Sequence, residues 1–121
     1  MAQAAMLTAA PAPEAPAIDR VHLKQMTFGD RSLERELLQL FDRQAELLIA
    51  RMRASEAPVL ASLAHTLKGS ALGVGANAVA ESAAAAENAA AGSPAQRAAA
   101  LDCLAEVIAA ARVEIAALLR V

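Results

Sequence analysis

From Leu33 onward, Leu37, Leu40, Phe41, Leu47, Leu48 and Met52 return at intervals of three, four or seven residues. Arg35, Glu36, Asp42, Arg43 and Glu46 fall between them, the alternation of an amphipathic helix. Asp30 stands ahead of this run as a cap, and a helix over about 31–53 is about 34 Å long at 1.5 Å per residue. A shorter helix precedes it: Asp19 caps its start, Ile18 staples onto Leu23, and the chain leaves it near Thr27–Gly29. Pro58 suits the first turn of a third helix that runs to about Gly73–Gly75, where two glycines make a stop. Asn77 is expected to cap a fourth helix reaching Ala91 and ended by Gly92. Ser93-Pro94-Ala95-Gln96 has the form of a capping box with proline at the first helical position. Leu101, Leu104, Ile108, Ile115, Leu118 and Leu119 then trace a last long helix. No internal repeat is visible.

Four substantial helices on short turns, preceded by one short helix, predict an all-α fold. The arrangement expected is an antiparallel up-down four-helix bundle with a short extra N-terminal helix. Pro11, Pro13 and Pro16 alternate with alanine, which favours extended backbone, so residues 1–17 read as a flexible Ala/Pro-rich tail and 18–121 as the folded domain.

Composition agrees with this and removes several functions. Alanine makes up more than a quarter of the chain, while Phe28 and Phe41 are its only aromatic residues. That is a poor basis for a sheet and a good one for helices. The net charge of −2 supplies no basic field for nucleic acid, and no aromatic platform exists for base stacking. Glu87 and Asn88 interrupt the alanine run from 83 to 91, so no membrane span is expected. No Lys or Arg occurs in the first 19 residues, against a secretory signal. With Cys103 the sole cysteine, a soluble, cytoplasmic protein is expected.

The third helix holds the chemistry. On a helical wheel with Leu60 at zero, Leu63, Ala64, Leu67, Ala71 and Val74 fall within about 60° and form the core stripe. His65 falls roughly 140° away, on the solvent side. Beside it lie the small residues Ala61, Ser62, Gly69 and Gly73, with Lys68 one turn along. Glycine in a helix interior costs about 1 kcal/mol relative to alanine, yet Gly69 sits one turn after the histidine and leaves room above its ring. An imidazole in such a clearing, with a cation beside it, suits a group that carries a phosphoryl. Neutral histidine is nucleophilic near neutral pH. If the third and fourth helices form a hairpin turning near residue 76, Glu87 lies as far after the turn as His65 lies before it. Its carboxylate can then accept the Nδ1 proton and leave Nε2 free to attack. The alternative is an ordinary solvated glutamate.

His65-Thr66-Leu67-Lys68-Gly69-Ser70-Ala71 resembles the H-x-x-K-G-[SA]-[SA] signature of histidine-containing phosphotransfer (HPt) domains. Asp19 through Phe41, including Met26-Thr27-Phe28-Gly29-Asp30, is similar to the family's opening segment, and Gly75-Ala76 and Glu87 also sit where the family places such residues. The likeness covers about residues 18–120. It implies a phosphorelay carrier that takes a phosphoryl group from a receiver-domain aspartate onto Nε2 of His65 and passes it to another receiver. Lys68 would balance the phosphoryl charge and Gly69 would keep the approach open, while Ser70 either hydrogen-bonds or packs a neighbouring helix. The implied partners are response-regulator receiver domains and a hybrid histidine kinase. The resemblance further implies that the chain needs no cofactor of its own, since in this family magnesium belongs to the receiver, and that it is a monomeric phosphocarrier and not an enzyme. Receivers of this family dock over the short first helix and the next two, which makes Leu38 and Ile49, off the main stripe of the second helix, the candidates for contact.

Other readings compete. His65 and Glu87 as the acid–base pair of an enzyme lack a third polar group. A non-phosphorylated helical interaction module that binds a receiver or kinase would leave His65 dispensable. His22 reads as a polar side chain on the first helix, and Cys103 as a small core or boundary residue. Two dissimilarly placed histidines and one cysteine assemble no metal site. Gly73-Val74-Gly75 has no strand before it and no P-loop lysine after it, so it is a helix end. At 121 residues, with no room for an ATP-binding domain, a complete histidine kinase is not expected.

Overall fold

The structure, a computed structural model, describes residues 16–120. The expected tail falls almost wholly outside the described residues. Among those residues there are five helices and no strand: α1 (Arg20–Met26), α2 (Arg31–Arg53), α3 (Ala57–Val74), α4 (Asn77–Ala89) and α5 (Pro94–Leu119).

Local chemistry explains most of the boundaries. Asp19 accepts a hydrogen bond from the His22 N–H (3.1 Å) and Asp30 from the Leu33 N–H (3.1 Å), each satisfying an orphan donor at a helix start. Ser93 and Gln96 close a reciprocal capping box, Ser93 N–H to Gln96 Oε1 at 2.8 Å and Gln96 N–H to Ser93 Oγ at 3.1 Å. Pro58 lies in the first turn of α3, and Gly75 ends that helix in the left-handed region at φ 81°. Asn77, expected as a cap, is instead the first residue of α4, and Ala76 occupies the cap position with no side-chain bond. The tight link through Gly75 leaves only one residue between Gly75 and the helix, so Asn77 is already inside it.

Side-chain contacts fix which helices lie together. Arg53 pairs with Asp102, Arg112 with Asp42, and Arg35 donates to the Leu119 carbonyl, so residue numbers rise along α2 as they fall along α5. His65 meets Glu87 between α3 and α4, and Ser82 meets Cys103 between α4 and α5. α1 is fastened separately: the Asp19 N–H donates to the Gly75 carbonyl at 2.8 Å, and Ile18, Leu23 and Thr27 are buried beneath it. Thr27 is satisfied there by donating its hydroxyl to the Leu23 carbonyl (2.9 Å).

The core differs from the expectation in one systematic way. On α2 the buried positions are Leu38, Phe41, Ala45, Leu48 and Met52, whereas Leu33, Leu40 and Leu47 are exposed. α2 carries leucines on two adjacent faces, and apolarity alone does not say which faces inward. The face with Ala45 wins because a methyl group there lets a neighbouring helix approach closely. The same economy governs α4, whose buried face is Val79, Ala80, Ala83 and Ala86 with Ser82. Cys103, expected near the core, is exposed on α5.

Candidate functional site

His65 stands on the outer face of α3 between the fully buried Ala64 and Leu67, which face inward and thereby turn the imidazole to solvent. Its side chain is 70% exposed. Glu87 reaches it from α4, with its two carboxylate oxygens 3.4 and 3.3 Å from Nδ1. A carboxylate only accepts, so this contact selects the tautomer in which Nδ1–H donates and Nε2 presents its lone pair outward. These distances lie at the long end of hydrogen bonding, and Glu87 is itself 32% exposed, so the contact orients the ring without locking it.

The surroundings are open. A Cβ built at Gly69 would meet no heavy atom within 4 Å, so the clearing beside the ring is real space. Lys68 is half-buried one turn from His65, and among the described residues its ammonium forms no ion pair within 4 Å. Its charge is available to an incoming anion. Ser70 belongs elsewhere: it lines a groove with Met26, Leu37, Leu40, Gln44 and Gly73, on the α2 side of α3. Three of the four expected supporting residues, Lys68, Gly69 and Glu87, therefore surround the His65 imidazole, and Ser70 borders an adjoining apolar surface. Among the described residues no cluster of three or more potential metal ligands occurs.

Leu38 and Ile49 do not form a contact surface. Leu38 is 3% exposed and Ile49 is half-buried against the core. The apolar surface near the site is instead made by Met26 and Leu40, 49% and 54% exposed, at the mouth of that groove. Sequence reasoning placed Leu40 in the core. The available signal was numerical, since α2 holds more leucines than one buried stripe can accommodate. His22 is half-buried on α1, and its Nε2 is a buried atom without a partner.

Among the described residues, the helices present one oriented, solvent-facing imidazole amid small residues and beside a lysine that forms no ion pair, the arrangement of a histidine-bearing carrier. A family model described as the Hpt domain matches residues 32–120, well over half of the chain. The chain belongs to the Hpt domain family, whose members serve as phosphotransfer carriers in two-component signalling. Comparison with curated proteins finds no match. Among the described residues no helix is long and apolar enough to cross a membrane.

Proposed function

We propose that this chain is a phosphorelay intermediate that takes a phosphoryl group from the aspartyl phosphate of one receiver domain and delivers it to the aspartate of another. His65 Nε2 attacks phosphorus, the N–P bond forms as the bond from phosphorus to the aspartyl oxygen breaks, and the receiver's carboxylate leaves. Nδ1 keeps its proton throughout, held toward Glu87, and the positive ring is offset by that carboxylate. Transfer onward reverses these steps, with neutral imidazole as the leaving group. Lys68 offsets charge on the phosphoryl oxygens, and Gly69 leaves the line of approach clear. Magnesium and the remaining catalytic groups are the receiver's, so the chain acts as a carrier and brings no cofactor.

The exposed His65 ring, oriented by Glu87 beside the open Gly69 position, is the observation that carries this reading. The full assignment is a monomeric, cytoplasmic protein whose domain spans 18–121 behind a tail over 1–17. α2 to α5 form the antiparallel up-down four-helix bundle and α1 is the extra helix, supported by the pairings of α2 with α5 and of α3 with α4. A hybrid histidine kinase supplies the phosphoryl group through its receiver. Docking uses the Met26–Leu40 groove in place of Leu38 and Ile49.

The test is incubation with a panel of phosphorylated receiver domains, comparing wild type with His65→Gln. Acid-labile, base-stable label is expected on wild type and absent from the variant. Equal labelling of both removes His65 from the role. Tight receiver binding with no label on either protein would instead make the domain a non-phosphorylated interaction module.

A further inference from the structure

Resting on the phosphorelay reading, we propose that Phe28 is a specificity anchor, which inserts into an apolar recess rimmed by carboxylates on the partner receiver. Phe28 occupies the left-handed region at φ 55°, the sole non-glycine residue with positive φ among those described. A bulky L-residue is strained there. The strain is imposed by the end of α1: the Phe28 N–H donates to the Gln25 carbonyl (3.3 Å) and the Gly29 N–H to the Lys24 carbonyl (2.9 Å). That is the Schellman arrangement, in which glycine is the ordinary occupant of the position Phe28 fills. No burial within the chain compensates, because the ring is 91% exposed, the most exposed large apolar side chain described.

The setting of the ring points to the partner's chemistry. Arg20, Lys24 and Arg31 line the cleft around it with Val21, and Glu34 is the one carboxylate there. Among the described residues none of these three cations forms an ion pair within 4 Å. A chain of net charge −2 thus presents a local cationic collar around its most exposed aromatic residue. Such a collar favours a carboxylate-bearing partner and repels a basic one. Met26, two residues before Phe28, lines the apolar groove that α2 forms with Ser70, Gly73 and Val74 of α3, so the anchor extends the proposed docking face. A rigid aromatic in a desolvated pocket is the kind of residue that dominates interface energy.

The experiment uses the full chain and the phosphorylated receiver that labels it fastest in the panel above. It compares wild type, Phe28→Gly, Phe28→Leu and the double variant Arg20→Glu, Lys24→Glu. Phe28→Gly should melt no lower than wild type, since glycine suits the backbone, yet need about tenfold more receiver for half-maximal transfer. Its rate at saturating receiver should match wild type, because His65 and Glu87 are untouched. The double variant should show a similar increase and lose the salt sensitivity of the wild-type reaction, while Phe28→Leu retains most of the affinity. Label on His65 with every variant within twofold of wild type overturns the anchor and leaves the relay standing. So does a double variant that loses binding only to anionic lipid vesicles. Label reaching His65→Gln as well as wild type removes the relay and the anchor together.

Discussion

Replacing Gly75 with alanine should unfasten α1 from the bundle. The residue sits at φ 81°, where alanine costs about 1–2 kcal/mol more than glycine. A Cβ there would lie 2.7 Å from the Asp19 carbonyl oxygen and 3.2 Å from the Asp19 Cβ and backbone nitrogen. These are backbone and near-backbone atoms, so relief requires the whole start of α1 to move. The movement strains the 2.8 Å bond from the Asp19 N–H to the Gly75 carbonyl and loosens the burial of Ile18. One net hydrogen bond contributes about 1 kcal/mol, so the total loss should be about 3 kcal/mol. Far-UV circular dichroism under urea is the suitable probe, because the chain has no Trp or Tyr. With a slope of about 1.3 kcal/mol per molar for a domain of this size, the midpoint should fall by about 2 M. Gly73→Ala is the control: it lies within α3, its Cβ would meet nothing within 4 Å, and it should raise stability by about 0.5 kcal/mol. The reasoning fails if the Gly75→Ala midpoint stays at the wild-type value, or if both variants fall equally.

Gly69→Ala should separate stability from function, gaining about 0.5–1 kcal/mol in helix propensity while slowing phosphotransfer at least about tenfold through obstruction beside the ring. A variant that is both more stable and equally fast would show that the clearing is not used. Glu87→Ala removes the contact that orients the ring and should slow acceptance of phosphoryl by about fivefold, about 1 kcal/mol in the barrier, with little change in melting temperature because the pair lies at the surface. Unchanged single-turnover kinetics would return Glu87 to an ordinary surface glutamate. Arg112 is held above its ordinary range mainly by its hydrogen bond to Asp42, against the opposing effect of burial. A raised folded pKa stabilises at every pH below the unfolded value, and the contribution disappears only in strong alkali. Since the guanidinium is 37% exposed, Arg112→Met should cost at most about 1 kcal/mol, by the same amount at about pH 6 and pH 9. Urea unfolding at the two pH values checks this, and a cost that fades at the higher one would contradict it.

What could be read from the sequence was what local chemistry decides. Asp19, Asp30 and the Ser93–Gln96 box mark helix starts because each satisfies donors three residues away, with no tertiary information needed. The outward position of His65 and its meeting with Glu87 followed from helix period and from equal spacing about a turn. The inward face of α2 did not follow, since two leucine-bearing faces compete and the choice depends on how closely a neighbour packs at Ala45. Hence Leu38 was placed outside and Leu40 inside, the reverse of their positions. The conformation of Phe28 was hidden for a related reason: a Phe-Gly pair at a helix end does not announce which of its residues turns left-handed first.

The thin inner face of α4 has a consequence for how the reactive ring is tuned. Glu87 follows the buried Ala83 by one helical turn and Ala86 by one residue, so its reach to the histidine is set by methyl groups on the far side of its own helix. Those methyls act as a spacer gauge. Enlarging any one of them would lift the carboxylate off the imidazole without touching a single residue a visiting protein can see.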